Sequence, residues 1–385
     1  MQTSILTKLT LILTLLGAAT LNTFAESKYV SSGTVIEIGA SYDNSDYKDY
    51  ALGVGDWGGV ARYEGTGITL AVSYNSENYQ QYYGALVTYG ASLSLTSGSI
   101  TVTNPGFTEG ELYGIGNWGA ATLDGINISV TANNSSGFGV YSASMDFINT
   151  LTLTNSNISA TSAAEDTIGV GIFVDEEANI QVNLNHNTLA GSFASLAATY
   201  SGTITLTGSN SSVITGDVIS YKNAVVEITL TGPGTALHGN MFNYDPTSAY
   251  YEPGTITLTI NAGALLDSAG IVTNLTLNDG AILGYTDVLT VTDTITIGEG
   301  ITIDFSNLTL TDDAAYRILD FTTATGDVSI GSFTATGLGA DQQGTFTLDE
   351  RNLYFTATAV PEPSTWFLLG IGLGALALIR RRRQR

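Results

Sequence analysis

The sequence predicts an all-β protein whose body is a right-handed parallel β-helix, a solenoid of stacked coils. Short runs alternate an apolar residue with Thr or Ser, as in Ile204-Thr205-Leu206, and this period of two is typical of a half-buried strand. The runs recur at a mean spacing of about 25 residues, which lies in the range of solenoid repeats. Clusters of Gly, Asn and Ser, such as residues 208–212, separate the runs and suit tight corners.

The repeat length distinguishes the β-helix from other repeat folds. A propeller blade needs four strands in roughly 40–50 residues, more than this spacing supplies. Two or three short strands with tight turns fit the spacing, so residues 90–310 are predicted to form about nine or ten coils. Stacking then places Ile, Leu and Val in continuous inward columns and Thr in outward ladders. An array of β-sandwiches, which also uses short strands, is the alternative.

The first 25 residues are predicted to be a secretory signal peptide. Lys8 carries their only side-chain charge, and an apolar run from Leu9 to Gly17 follows it. Small residues then lead to Ala25, where cleavage is expected. The apolar run is short for a membrane span, so an uncleaved anchor is the less favoured alternative.

Two segments flank the predicted coils. Residues 29–89 hold 10 of the 20 tyrosines, and the segment 26–89 is interpreted as an N-terminal cap or a set of first irregular coils. Its tyrosine rings could stack on sugars. Residues 311–358 are predicted to form a β-rich C-terminal cap, because an open end of stacked strands would pair with other chains.

The tail at residues 359–385 has three parts in order. Pro361-Glu362-Pro363 comes first, an apolar stretch at about 364–379 is predicted to be a transmembrane helix, and an arginine cluster occupies 380–385. The apolar stretch is short for a bilayer core of about 30 Å, but Trp and Arg at its two boundaries extend its reach. The arginines predict that the end of the tail stays cytoplasmic while residues 26–360 lie outside. An ordinary C-terminal anchor that is never cut is the alternative.

This order of elements resembles the PEP-CTERM sorting tail of exported proteins from exopolysaccharide-producing Gram-negative bacteria. The resemblance implies passage through the inner membrane and processing near Pro-Glu-Pro by an exosortase-type membrane protease. The precursor would be anchored in the inner membrane, and the product would reach the cell surface or be secreted. The sorting motif and the stop-transfer signal would be formed by Pro361, Glu362 and Pro363, and by Arg380, Arg381, Arg382 and Arg383, respectively.

The body resembles the passenger β-helices of autotransporters and related bacterial surface proteins. The phrase Ile204-Thr205-Leu206-Thr207-Gly208-Ser209, followed by Val213-Ile214-Thr215-Gly216-Asp217-Val218, carries this resemblance, which covers about residues 90–310. The C-terminus lacks the membrane β-barrel that exports such proteins and has the sorting tail in its place. The resemblance therefore implies a shape and not an export route.

The charge of the chain excludes several partners. It has 12 basic and 35 acidic residues and a net charge of -23. Without residues 1–25 and 364–385, six basic residues face all 35 acidic ones, which gives −29. So few cations exclude nucleic acid, whose phosphates need clustered Lys and Arg, and a surface this acidic repels polyanions. The absence of cysteine excludes thiol catalysis and Cys-ligated metals.

A polysaccharide-active enzyme is the second functional hypothesis, because parallel β-helices also carry such activities. Asp175, Glu176 and Glu177 are the candidate catalytic residues, since glycoside hydrolysis needs two carboxylates. A run of charges is more often a solvated turn. Residues 90–310 contain one basic residue, Lys222, which argues against the elimination of acidic sugars. The sequence is therefore predicted not to be an enzyme.

No cofactor is predicted. Asp43-Asn44-Ser45-Asp46 resembles a calcium loop only loosely, because it lacks the glycine and the distal glutamate of an EF-hand, so Ca²⁺ is a weak candidate. His186 and His238 are expected in loops or turns, and two histidines without cysteine make no zinc site. Alternating threonines at 203, 205 and 207 support a third hypothesis, a surface that orders water or ice. The high β-propensity of Thr explains these threonines more simply.

Together these features predict an exported, surface-sorted and non-catalytic protein of the cell envelope or exopolysaccharide matrix. Its role would be structural or adhesive. The expected partners are the exosortase-type protease, the inner membrane before processing, and extracellular polysaccharide or cell surfaces afterwards.

Overall fold

The computed structural model describes residues 25–44, 49–55, 60–73, 80–104, 110–143, 148–164, 167–244, 252–326, 330–360 and 380. Several predicted features lie outside these ranges: the signal peptide up to residue 24, Pro361, Glu362 and Pro363, the helix at 364–379, and Arg381, Arg382 and Arg383. Among the described residues, no helix has the length and apolar character needed to span a membrane.

The described chain forms thirty strands and one short 3₁₀ helix at Ile330–Ser332. The strands are β1 (Lys28–Val30), β2 (Gly33–Ile38), β3 (Ser41–Asp43), β4 (Tyr50–Val54), β5 (Ala61–Ser73), β6 (Gln80–Val87), β7 (Ser92–Asn104), β8 (Gly110–Asn117), β9 (Ala120–Ala132), β10 (Ser136–Ala143), β11 (Ile148–Thr154), β12 (Asn157–Ser162), β13 (Gly169–Asp175), β14 (Asn179–Asn185), β15 (Thr188–Ala198), β16 (Thr203–Ser209), β17 (Val213–Ser220), β18 (Val225–Leu230), β19 (Ala236–His238), β20 (Met241–Phe242), β21 (Thr255–Ile260), β22 (Leu265–Asp267), β23 (Gly270–Leu277), β24 (Ile282–Gly284), β25 (Leu289–Ile297), β26 (Ile301–Asp304), β27 (Ala315–Gly326), β28 (Phe333–Thr336), β29 (Gln342–Leu348) and β30 (Asn352–Ala359).

Parallel pairing between successive coils builds a β-solenoid of about ten turns, which confirms the predicted fold class. The right-handed winding of the coil stays a prediction. Each complete coil contributes to three faces, and long strands such as β7 and β9 bend from one face to the next. One of these faces runs through β9, β11, β14, β16 and β18, and we name it the threonine face. Another face runs through β4, β6, β8, β10 and β13, and we name it the aromatic face.

Coil length varies along the solenoid. The side chain of Asn155 donates a hydrogen bond to Asp124 on the previous coil, 31 residues earlier. Further along, Asn274 donates to Thr257, only 17 residues earlier. The turns and a few register shifts inside the long strands absorb the difference, so the repeat in the sequence is approximate.

The interior consists of stacked aliphatic columns, as the alternating pattern predicts. On the threonine face, Leu95, Leu123 and Leu153 lie in register and are almost completely buried. Their outward neighbours form a ladder in which asparagine replaces threonine once: Thr122, Thr152, Asn183, Thr207, Thr229, Thr259, Thr276, Thr296 and Thr325. The interior and the ladder follow from strand alternation because successive side chains point to opposite sides.

The two ends of the stack differ. At the N-terminal end, β1, β2 and β3 pair in parallel with the following coil, and Ala25 pairs in parallel with Tyr42, so strand pairing begins with the first described residue. At the C-terminal end, β29 and β30 form an antiparallel hairpin, and β30 also pairs with β27. Phe355 packs there with its ring centroid 4.6 Å from Phe305 and 5.0 Å from Phe346. The predicted domain boundaries stay predictions.

Candidate functional site

A second apolar cluster, separate from the interior, lies on the outside of the aromatic face. In β10, Val140 points into the interior, whereas Phe138 and Tyr141 belong to the outer cluster. Half-buried rings such as Trp118 and Phe173 pack on the cluster and leave part of its edge open to solvent. Its buried members are Tyr83, Tyr113, Phe138, Val170, Ala194, Ala197 and Ile219.

A column of glycines explains how rings three residues apart reach the same side of one strand. Gly84, Gly114, Gly139 and Gly171 occupy equivalent positions on successive coils, between paired residues on either side. A Cβ atom on Gly114 or Gly139 would lie 2.5 Å from the carbonyl oxygen of the next glycine in the column. Glycine in a strand interior commonly marks such a close backbone approach. Because alternation is broken at Gly139, Phe138 and Tyr141 both face outward although they are three residues apart.

The rings of the outer cluster stack along the solenoid axis. Centroid separations are 4.8 Å between Tyr83 and Tyr113, 5.2 Å between Tyr113 and Phe138, and 5.3 Å between Phe138 and Phe173. Trp118 lies beside this stack, with its ring 6.0 Å from Tyr83 at an interplanar angle of 66°. These are the offset and edge contacts that aromatic pairs favour.

A network of hydrogen bonds fixes the rings at the N-terminal end of the stack. Tyr83 donates its hydroxyl proton to Gln81 Oε1 at 2.9 Å, and Gln81 Nε2 donates to Glu111 at 2.9 Å. Tyr113 also donates to Glu111. Burial, reinforced by the hydrogen bond to this carboxylate, raises the pKa of Tyr113 far above its ordinary value, so the hydroxyl stays a neutral donor.

A cleft of about 270 Å³ opens where the aromatic face meets the threonine face, and we call it the Trp118 cleft. Backbone pairing positions it, because Trp118 N–H donates to Val87 O at 2.8 Å. The residues that line it are Gln81, Tyr83, Leu86, Thr88, Tyr89 and Trp118.

The predicted catalytic residues lie along the same corner, several coils further on. Asp175 ends β13, and Glu176 and Glu177 form the turn after it with φ angles of 50° and 61°. With Tyr200 they line a second, more open cleft of about 480 Å³, which we call the acidic cleft. The turns stack directly, since Glu177 N–H donates to Tyr200 O at 3.0 Å.

The carboxylates of the acidic cleft differ in environment. Burial raises the pKa of Asp175 above its ordinary value, and the charge of Glu176 adds to this effect. Glu176 and Glu177 are exposed, as a solvated turn would have them. The ammonium of Lys222 lies 3.8 Å from the ring centroid of Tyr200 and donates to its hydroxyl. The cleft thus combines one half-buried carboxyl group of raised pKa with two solvated carboxylates.

Neither histidine is among the described lining residues of these clefts, and the suggested calcium loop is described only in part. His186 lies in a turn, as predicted, but His238 is the last residue of β19, so its predicted place in a loop is wrong. Its Nδ1 lies 3.0 Å from Asp267 Oδ2 because β19 and β22 are neighbours. Asp43 and Asn44 are described, whereas Ser45 and Asp46 are not. Among the described residues, no cluster of three or more His, Cys, Asp or Glu could hold a metal.

The threonine ladder is one residue wide. The adjacent outward column contains Thr205 and Thr257 but is interrupted by Gln181, Glu227 and Asn274. A surface that templates ordered water needs a regular two-dimensional array, so this interruption argues against the third hypothesis. Thermal hysteresis at millimolar protein is the observation that would support it.

Sequence reasoning missed the outer aromatic cluster, although the chain carries a signal for it. An aromatic or branched residue precedes glycine and an apolar residue follows it in Tyr83-Gly84-Ala85, Tyr113-Gly114-Ile115, Phe138-Gly139-Val140 and Val170-Gly171-Ile172. These triplets recur at the coil spacing. They break the period-two pattern, which is why a search for alternation passes over them.

Comparison with known proteins identifies the tail. The family model for the PEP-CTERM protein-sorting motif matches residues 359–383. The chain therefore carries this sorting motif, which implies export, extracytoplasmic sorting and processing by exosortase. No curated protein matches the chain. Fold and tail together define an exported β-solenoid protein with a C-terminal sorting signal.

Proposed function

We propose that the protein is a non-catalytic adhesive or structural component of the cell envelope or extracellular matrix, and that its solenoid holds polysaccharide or cell surfaces. The observation that carries this proposal is the outer aromatic cluster. Rings of this size normally fill a protein interior, yet here they cover one outer face of an exported solenoid. The core of the cluster is buried, but half-buried rings such as Trp118 and Phe173 leave apolar surface open at its edge, and such surface rimmed by polar groups commonly marks an interaction site.

The rest of the surface supports the same proposal. The solenoid offers a long lateral face on which a chain-like partner can make repeated contacts. The net negative charge keeps such a protein soluble outside the cell. Polymer binding through repeated weak contacts also gains avidity without any catalytic step.

Binding of the exported protein to polysaccharides and cells tests this proposal. We expect retention on at least one polysaccharide or on whole cells of the producing strain, and a deletion strain should bind added protein at its surface. If the exported protein binds no polysaccharide of a neutral and acidic panel and no cells, the adhesive role is wrong.

An enzyme acting in the acidic cleft is the second candidate. The raised pKa of Asp175 supports it, since burial that raises the pKa of a carboxyl group is the usual way in which a general acid is tuned. The measurement is the release of new reducing ends from polysaccharides. Activity that is lost in Asp175→Asn and retained in Thr205→Ala on the threonine face would favour the enzyme. If the wild-type protein releases no new reducing ends, the enzyme candidate is wrong.

A further inference from the structure

We propose that the Trp118 cleft binds one pyranose ring of a neutral polysaccharide. This inference rests on the proposed adhesive function and names the site and the class of ligand. The cleft combines several aromatic rings with uncharged polar groups among its described lining residues, whereas the described lining of the acidic cleft has one ring and three acidic residues.

The size and the walls of the cleft suit a sugar ring. Its volume of about 270 Å³ lies near the lower end of the range of small-ligand pockets, roughly 300–1,000 Å³, so a single sugar ring is the size of ligand that it suits. Tyr83, Tyr89 and Trp118 supply apolar ring surface. The carbon-bound hydrogens of a pyranose form an apolar patch that packs against such rings. Pockets for small ligands have this mixture of aromatic walls and a few polar groups.

Two side chains can hydrogen-bond to sugar hydroxyls. Gln81 accepts from Tyr83 and donates to both Glu111 and Tyr113, and its amide oxygen keeps a second lone pair. Thr88 donates to Val54 O at 3.3 Å, so its oxygen retains lone pairs for a sugar hydroxyl to donate into. A polyol, whose hydroxyl groups can donate to both oxygens, matches this pair.

The charge of the site selects a neutral sugar. None of the described lining residues is Lys or Arg, so a carboxylated or sulfated sugar would enter without a counter-charge. The carboxylate of Glu111 is hydrogen-bonded to Gln81 at the edge of the cleft and would repel such a sugar. The overall negative charge acts in the same direction.

The cleft is already organised for binding. Tyr83 stacks on Tyr113 and donates to Gln81, while backbone pairing fixes the residue that carries the indole ring of Trp118. Few rotamers remain to be fixed when a ligand enters, which lowers the entropic cost of binding. The acidic cleft differs, because its one ring, Tyr200, carries Lys222 over it and the rest of its lining is anionic.

Affinity electrophoresis of the exported protein tests the inference. Native gels would contain a neutral polysaccharide, either hydroxyethyl cellulose, laminarin or galactomannan, or the acidic polygalacturonate. We expect slower migration in at least one neutral gel and none in the acidic gel. Trp118→Ala should weaken the retardation-derived affinity about tenfold or more, and Trp118→Phe should keep part of it.

Two further variants separate binding from folding. Tyr89→Ala removes a second ring of the cleft from a turn and should also weaken retardation. Tyr200→Ala removes an exposed tyrosine from the acidic cleft and should leave the retardation in the gel unchanged. Thermal melts of each variant show whether the solenoid is intact, and a variant that melts early is replaced in the comparison by Gln81→Ala.

The outcomes distinguish this inference from the proposed function. Binding to a neutral polysaccharide that survives Trp118→Ala and Tyr89→Ala overturns the cleft assignment and leaves the adhesive role standing. Retardation only by polygalacturonate overturns the neutral class. If the wild-type protein is retarded by none of the polysaccharides and also fails to bind cells, both the inference and the proposed function are wrong.

Discussion

Glu37 is a charged side chain that faces inward at the N-terminal end of the solenoid. It shares the inner side of β2 with Val35, which packs on the core. Lys28 Nζ lies 3.1 Å from its carboxylate, Tyr63 donates to it at 2.8 Å, and Tyr42 also donates. Burial raises the pKa of Glu37, but these hydrogen bonds outweigh burial and hold the pKa below its ordinary value.

This environment makes the stability of the first coil depend on pH. A carboxyl group with a lowered pKa stabilises the folded state above its unfolded pKa, and that stabilisation is lost as pH falls through the folded value. We expect Glu37→Gln to lower the free energy of unfolding at pH 7. The variant should also lose less of its free energy of unfolding than the wild type between pH 5 and pH 3, as measured by urea denaturation at each pH. Equal acid sensitivity in the variant and the wild type would contradict this. Glu350→Gln, on an exposed turn near the other end, is the control.

The position of an individual side chain could be predicted where it follows from a local sequence pattern. The turn position of Glu176 and Glu177 followed from their being a run of charges. The ring of Tyr200 beside them did not, because it comes from the next coil and only the coil length places it there. In the same way, the neighbour of His238 is Asp267, 29 residues away, and no local pattern indicates the pair.

At the scale of strands, the glycine column is the element that the outer aromatic cluster needs. We expect Gly139→Ala to destabilise the protein by about 1–3 kcal/mol, since its Cβ would meet Ile158 and a backbone carbonyl that has no rotamer to change. Gly339→Ala is the matched control, because its nearest neighbour is the flexible end of Gln342 at 3.1 Å. Equal melting temperatures for the two variants would show that the close approach is not required.

Alternation predicted the strands well because it is a local property, and the threonine and leucine columns confirm it. The aromatic face departs from alternation at each glycine, so its outward side could not be assigned from the period alone. The corners also escaped prediction in detail. Their lengths vary between coils, and which residues meet across a corner depends on the pairing register, a long-range property.

At the scale of the whole molecule, the N-terminal edge needs protection from other chains. Ile36 and Ile38 on the outward side of β2 are 69% and 83% exposed, so apolar side chains do not keep partners away. An inward-pointing charge is one of the devices that blunt a sheet edge, and Glu37 occupies that position. The hairpin of β29 and β30 covers the other end.

Replacing this charge should therefore promote association. We expect Glu37→Val to give a larger share of assemblies than the wild type in sedimentation velocity at equal concentration, because the edge becomes continuously apolar. Glu37→Gln keeps a polar group there and should assemble less than Glu37→Val. A Glu37→Val profile that superimposes on the wild type would show that another feature protects the edge.

The two ends and the body of the chain serve one purpose in our proposal: a β-solenoid is exported, trimmed at its sorting tail and displayed outside the cytoplasm. Intact-mass analysis of the protein from the extracytoplasmic fractions tests it most directly. We expect a product that begins after Ala25 and ends near Pro361-Glu362-Pro363, and alanines in place of these three residues should leave the tail attached. Recovery of the full-length chain in the cytoplasm, with no trimmed species outside, would contradict it.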